Sequence, residues 1–501
     1  MKWGRSGRAP HARRADGARA PLTRPAASGL VRGTRPPLET PMTLPGPAPR
    51  DPIPALRDLL GERLLTSEAA RAQHAENEAW YPAALPDAVA RPASTEEVSR
   101  LLALCHAAGM PVVAQGARSS LEGHHLAIRG GIALDLTGMD RVLAVHAEDL
   151  DAVVQPGVTR EALNAHLRDT GLFFPIDPGA NATLGGMAAT RASGTTAVRY
   201  GTMREAVLAL EVVQADGTVI RTGSRARKSA TGYDLTHLFV GSEGTLGIIT
   251  ELTLRLFGQP EAQSAAICRF PSVAEAVATV IATIQMGLPI ARIELVDAMM
   301  VRGFNLHADA GLPEEPHLFV EFHGSESGVA ETAALFGEIA ADHGGQAFRW
   351  SQKPEERRAL WSMRHNAHHA TRRLRPGART VSTDVCVPIS ALAEAVAVAQ
   401  EEGRARGLVQ AIVGHVGDGN FHCGILVDPE DAGEMKRVKE FTDLLSDLAL
   451  RLGGVVSGEH GIGMGKIGKM EAQHGPALAT MRAMKEALDP KGILNPGKLL
   501  P

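Results

Sequence analysis

Gln115-Gly116-Ala117-Arg118-Ser119-Ser120-Leu121-Glu122-Gly123-His124 follows directly on the apolar run Pro111-Val112-Val113-Ala114. A short β-branched run that breaks into glycine and serine predicts a buried strand opening into a turn whose backbone can approach a ligand closely. Upstream, Ser94 and Glu97 have the spacing of a capping box, and the helix that follows them runs to a C-cap at Gly109. Downstream, three more segments share the same character. They are Asp177-Pro178-Gly179-Ala180-Asn181-Ala182-Thr183-Leu184-Gly185-Gly186-Met187, then Ala192-Ser193-Gly194-Thr195-Thr196 with Arg199-Tyr200-Gly201, then Gly241-Ser242-Glu243-Gly244-Thr245-Leu246-Gly247. Successive backbone N–H groups in such loops form anion nests, and the hydroxyls add donors. One such segment alone reads as an ordinary turn, but four in one stretch weigh against that reading. No Walker A loop is present. The run Gly461-Ile462-Gly463-Met464-Gly465 lacks the strand–GxGxxG–helix context, so a nicotinamide Rossmann site is not expected.

Around these loops the pattern is that of a mixed α+β chain. Leu252, Leu254 and Leu256 alternate with Glu251, Thr253 and Arg255, the period of a strand with one buried face. Asp216-Gly217 between apolar runs predicts a hairpin. After Gln259, helical and strand-like segments alternate, which suggests a second α+β layer domain. The expected organisation is a tail over 1–50, a first domain over 55–258, a second over 259–470, and a turn-rich segment over 471–501 packing back on the first. The tail holds eight arginines in its first forty residues against only Asp16 and Glu39. It reads as disordered, or as an upstream start with Met42 as the true initiator.

Composition bounds the function. The chain has 501 residues, more than one core, and a net charge of −4 with 4% aromatics, which argues against a nucleic-acid surface. Cys105, Cys268, Cys386 and Cys423 form no CxxC pair, so reduced thiols are expected rather than a disulfide framework. No apolar run reaches the roughly 18 residues of a membrane span. The expected location is cytoplasmic, or peripheral at the inner membrane face.

A histidine-rich stretch carries the sharpest chemistry: Gly414-His415-Val416-Gly417-Asp418-Gly419-Asn420-Phe421-His422. Read as a hairpin with the two-residue turn Asp418-Gly419, it pairs His415 with His422 across the strands. Two imidazoles on one face can then share a metal ion, while Val416 and Phe421 point to the opposite, buried face. Ser457-Gly458-Glu459-His460-Gly461, expected as a loop after a strand Gly453 to Val456, adds a carboxylate beside a histidine. His₂Glu is a known ligand set for a catalytic divalent ion with an open position. Arg364, in Trp361-Ser362-Met363-Arg364-His365-Asn366-Ala367-His368, could bind a carboxylate bidentately or be a surface charge. His307, His365 and His474 read as locally satisfied histidines, and Arg372, Arg373 and Arg375 as solvated.

From Leu59 to Pro501 these motifs resemble the FAD-linked oxidases of the vanillyl-alcohol oxidase (PCMH) type, in the branch acting on D-2-hydroxy acids. The resemblance implies an α+β fold with a two-part FAD-binding domain and an α+β cap domain. It implies that Gly116, Arg118, Ser119 and Ser120 wrap the pyrophosphate of FAD. Pro178, Gly179, Thr183, Gly185, Gly186, Ser193 and Gly194 would line the dinucleotide, Ile248 its adenine side, and Asn495 the flavin. Arg118 departs from the family's common glycine, and Thr196 from its frequent asparagine. His415, His422 and Glu459 are implied as ligands of Zn or Mn, His460 as the catalytic base, and Arg364 as the substrate arginine. The implied reaction is oxidation of a small 2-hydroxy acid with cytochrome c or a quinone as electron acceptor. Thr383-Asp384-Val385-Cys386-Val387-Pro388 resembles the D-lactate branch, and Ser382 stands where the hydroxyglutarate branch has lysine. Glycolate or D-2-hydroxyglutarate oxidation is the alternative, and a non-catalytic flavin-binding subunit is the alternative of another class.

Overall fold

The computed structural model describes residues 51–77 and 79–501, so the reading of the tail over 1–50 lies outside the described residues. The expected helix forms over Thr95–Ala108, with the Ser94 hydroxyl accepting from the Glu97 N–H and Gly109 left-handed at the C-cap. The reciprocal half of the capping box differs from expectation. The Glu97 carboxylate accepts from the N–H of Ala93, one residue earlier, and from Arg63.

This helix packs on a four-stranded sheet of order Leu64–Leu65, Ala88–Ala90, Ile132–Asp135, Val112–Gln115, in which the last three strands are parallel. A second, antiparallel sheet runs Val142–His146, Asp151–Val154, Ile248–Arg255, Val207–Val213, Val219–Gly223. Its last two strands are the Asp216-Gly217 hairpin, and Gly217 takes φ +92° there. Leu252, Leu254 and Leu256 are buried in the core of this sheet, as their alternation requires. The segment around Leu494 returns to the first sheet. Leu494 bridges Val112, and the Asn495 N–H donates to the Val112 carbonyl at 2.9 Å.

The second half builds one large antiparallel sheet. Its order is Gln346–Ser351, Ala262–Arg269, His317–Gly324, Ile290–Val296, Val409–His415, Asn420–Val427, Arg379–Ser382, with Val385–Cys386 also paired to Asn420–Val427. Helices Val273–Gln285, Glu326–Asp342, Leu392–Ala405 and Ala432–Arg451 cover one face. Helices Ala298–Ala308, Pro354–His365 and Ala367–Arg373 lie on the other. A sheet covered on both faces sorts its residues by parity. Phe421, Cys423, Ile425 and Val427 enter the first core, and each large side chain so buried contributes about 1.5–3 kcal/mol. His422 and His415 point to the other face.

The hairpin that carries them has a different register from the expected one. His415 pairs with Asn420 and Val413 with His422, so Val416 to Gly419 form a four-residue loop. A two-residue type I′ turn needs positive φ at both central residues. Only Gly419 supplies it, at +78°. The longer loop is favoured because it buries Val416 completely and seats Gly417 against Val198 and Ile293. The shift is two residues, one full side-chain period, so both histidines keep the same face. The expected strand Gly453 to Val456 reduces to a single bridge between Val455 and Cys386. Gly419→Ala would force a left-handed alanine and set its Cβ 2.0 Å from the Val387 carbonyl. We expect that variant to lose about 2 kcal/mol or more, read as a lower midpoint of thermal unfolding.

Candidate active site

His415 and His422 are diagonal neighbours with ring centroids 5.5 Å apart. The His415 Nδ1–H donates to Glu294 Oε1 at 2.7 Å, and the His422 Nδ1–H to the Thr383 carbonyl at 3.0 Å. Both rings therefore turn Nε2 to the same point, and each Nε2 lies 3.2 Å from Glu459 Oε1. Tying the far ring nitrogen to an acceptor is how proteins aim imidazoles at an ion. Burial pushes the Glu459 carboxyl up, but the two imidazoles outweigh it and hold it well below the carboxylate range. Two nitrogens and one carboxylate oxygen within 4.8 Å of one another form a donor set that fits a divalent cation.

The Glu459 loop is held by Asp384, which is 1% exposed. Its carboxylate accepts from the N–H groups of Glu459 (3.1 Å) and His460 (2.8 Å), from the Ser457 hydroxyl (2.6 Å) and from the Asn420 amide (2.9 Å). Lys466 adds its ammonium at 3.4 Å and bridges to Glu122 at 3.3 Å. Asp384 is also near His422 and His460. Its oxygens are already saturated with donors, so it acts as an anchor rather than as a ligand. Burial raises the Asp384 carboxyl, and Lys466 with the nearby histidines more than reverses it, so it stays ionised. His460 stacks on His422 with centroids 4.8 Å apart, and desolvation lowers it to about 4. A neutral imidazole at neutral pH is competent to accept a proton.

His415, His422, Glu459 and His460 form one wall of a cavity of about 910 Å³. Every position named above for the dinucleotide lines the same cavity, from Gly116, Arg118, Ser119 and Ser120 through Pro178, Gly179, Thr183, Gly185, Gly186, Ser193 and Gly194 to Ile248 and Asn495. The glycines divide by role. A Cβ on Gly116 would lie 2.0 Å from Thr183 Oγ1, and one on Gly194 would lie 2.5 Å from the Asp177 backbone, so these two let loops pack on each other. A Cβ on Gly179 would meet no protein atom, which leaves that backbone open to the cavity. Asn495 donates its amide to the carbonyls of His124 and Glu243, while its Oδ1 is buried without a partner. An open glycine backbone and an orphaned acceptor on the cavity wall fit a bound dinucleotide.

The two departures from the family pattern have distinct outcomes. Arg118 adopts φ +58°, a conformation that favours glycine, and lines the cavity. Thr196 is buried and donates its hydroxyl to the Pro175 carbonyl (2.7 Å) and Asp177 Oδ1 (3.0 Å), so it braces the Asp177-Pro178 turn from behind. Asp177 in turn pairs with Arg292 at 3.1 Å, which ties this turn to the large sheet.

Arg364 lies on the same cavity, 8% exposed, with its Nε and Nη2 on Glu294 Oε2 at 3.0 and 2.5 Å. It is therefore not a surface charge. Arg372 is exposed but borders the cavity mouth, as do His365 and His368. His365 is locally satisfied, its Nδ1–H donating to the Trp361 carbonyl. Glu294, Asp384 and Lys466 are among the polar residues that sequence reasoning did not assign to the site. A signal existed for Glu294: Arg292 and Glu294 alternate with Ile293 and Leu295, and charges on a strand covered on both faces must be paired.

Comparison with known proteins gives consistent matches. The FAD binding domain family matches residues 86–223, and the family of C-terminal domains of FAD linked oxidases matches 259–499. "Probable D-lactate dehydrogenase, mitochondrial" of Danio rerio is 48% identical over 453 residues, covering 89% of this chain and 91% of the relative. "D-lactate dehydrogenase [cytochrome], mitochondrial" of Arabidopsis thaliana is 43% identical over 456 residues, covering 90% and 80%. The solved 4-ethylphenol oxidase of Gulosibacter chungangensis superimposes with a TM-score of 0.73 at 18% identity over 89% of this chain and 96% of that one, a likeness of fold. Within the site, Asp384→Ala would leave the Lys466 ammonium with Glu122 as its remaining carboxylate and free the Glu459 loop. A loss of about 3–5 kcal/mol is expected, with faster hydrogen exchange at the Glu459 and His460 amides. Unchanged exchange at those amides would remove Asp384 as the anchor.

Proposed function

This chain belongs to the FAD-linked oxidases and is an FAD-dependent oxidoreductase, and we propose that it oxidises a D-2-hydroxy acid, D-lactate foremost, to the 2-oxo acid. The observation that carries this reading is the convergence of His415, His422, Glu459, His460 and Arg364 on the cavity that the glycine-rich loops line. A 2-hydroxy acid offers a hydroxyl, a carboxylate and a C2 hydrogen, and this wall offers a group for each of the first two.

Arg364 keeps donors free beyond those given to Glu294 and would fix the substrate carboxylate, since a guanidinium has five. His460 would take the hydroxyl proton. FAD, when bound, supplies the acceptor for the C2 hydride. A Zn or Mn ion on His415, His422 and Glu459 would supply Lewis acidity at the hydroxyl oxygen. Gly116, Arg118, Ser119 and Ser120 would hold the pyrophosphate, Pro178 to Gly194 the dinucleotide, and Asn495 the flavin ring. In this reading residues 55–258 and 471–501 form the FAD side and 259–470 the cap.

Ser382 lines the cavity where a longer diacid would call for a cation, which supports D-lactate over D-2-hydroxyglutarate. Electrons would leave to cytochrome c or a quinone. Among the described residues no helix is long and apolar enough to cross a membrane. We place the reaction in an aqueous compartment, or peripherally at the inner face of a membrane that holds such an acceptor.

Anaerobic D-lactate is expected to bleach the flavin absorbance of the purified protein. Bleaching by glycolate but not by D-lactate would move the assignment to that substrate. His460→Ala is expected to keep its flavin and slow reduction by roughly a hundredfold or more, measured in single turnover. Chelation should silence reduction and leave the yellow colour; full activity after exhaustive chelation would sink the metal assignment.

A further inference from the structure

Glu294 is buried with no exposure, near the middle of the strand Ile290–Val296. Its two oxygens go to two different functional groups. Oε1 accepts from His415 Nδ1 at 2.7 Å, and Oε2 accepts from Arg364 Nε at 3.0 Å and Nη2 at 2.5 Å. Arg292, two residues away on the same face, is committed elsewhere. It pairs with Asp177 at 3.1 Å and Glu321 at 3.6 Å, and its guanidinium lies 4.7 Å from the Trp361 ring centroid.

We propose that Glu294 is a positioning residue that couples ion binding to substrate binding, by fixing the tautomer of His415 with one oxygen and the orientation of Arg364 with the other. The inference rests on the reading that His415 ligates an ion and Arg364 holds a carboxylate. A carboxylate can only accept, so the His415 proton sits on Nδ1 and the Nε2 lone pair is left for the ion. The same carboxylate turns the Nε edge of Arg364 inward and leaves Nη1 for the substrate. One rigid strand position therefore sets the relation between the two grips. A 2-hydroxy acid that is held at its hydroxyl by one and at its carboxylate by the other needs that relation to be fixed.

Glutamine is the discriminating replacement because it has the same shape and only one acceptor oxygen. Its amide must face either His415 or Arg364. Facing His415, it donates to Nδ1 and drives the proton to Nε2, where no ion can bind. Facing Arg364, it opposes N–H groups with N–H groups. The test uses full-length flavin-loaded protein, stripped of metal with a chelator and titrated with Zn²⁺ against a chromophoric chelator. Glu294→Gln is expected to bind Zn²⁺ about 10- to 100-fold more weakly, with its flavin absorbance retained, and to show a raised KM for D-lactate. Tight Zn²⁺ binding by both proteins together with an unchanged KM for D-lactate overturns the proposal. No Zn²⁺ or Mn²⁺ binding by the parent protein overturns instead the metal reading on which it rests. If Glu294→Gln loses its flavin or does not fold, Glu294→Asp keeps both acceptor oxygens at a shorter reach. It must then show the weaker Zn²⁺ binding with flavin in place, and parent-like affinity in that variant overturns the proposal equally.

Discussion

A carboxylate sealed away from water must collect positive partners, and Asp384 collects them from separated stretches of chain. Ser457, Glu459 and His460 come from the loop, Asn420 from the hairpin strand, and Lys466 from beyond the loop. Glu459 meets His415 and His422 because of this anchor. Backbone N–H groups directed at a buried anion fix the chain path far more tightly than side-chain packing could, since their geometry is set by the peptide planes. The loop itself is rich in glycine and has little intrinsic preference for any one path.

Much of the framework was legible. Helix Thr95–Ala108 and its glycine cap follow from spacing, and the alternating leucines of Ile248–Arg255 and the Asp216-Gly217 hairpin follow from period and turn chemistry. The grouping of His415, His422 and Glu459 was legible too, although the hairpin register was not. Turn preference argued for a two-residue loop, and burial of Val416 outweighed it. That error left the site intact because a shift of two residues preserves the face. A shift of one would have put the two imidazoles on opposite faces of the sheet.

The unread residues share a physical reason. Glu294, Asp384 and Lys466 act through what they touch, and their partners are tens to well over a hundred positions away for the most part. Glu294 meets His415 across 121 residues, and Asp384 meets Lys466 across 82. A strand charge reads from sequence as solvent-facing unless both faces of the sheet are known to be covered. Arg118 is the reverse case. The substitution is visible in sequence, while its left-handed backbone, which keeps the loop on the path a glycine would take, is visible only in three dimensions.

The return of the Leu494–Asn495 segment to the first sheet also bears on how the protein is made. Asn495 donates to the His124 carbonyl across 371 residues, and Leu494 sits in the core beside Val112. The wall of the cavity that Asn495 supplies leaves the ribosome long after the loops around Gly116 and Gly179 have emerged. Contacts of such long sequence separation form late. A nascent chain can therefore fold its early sheets around an unfinished cleft, and secure loading of the dinucleotide waits for the Leu494–Asn495 segment to dock.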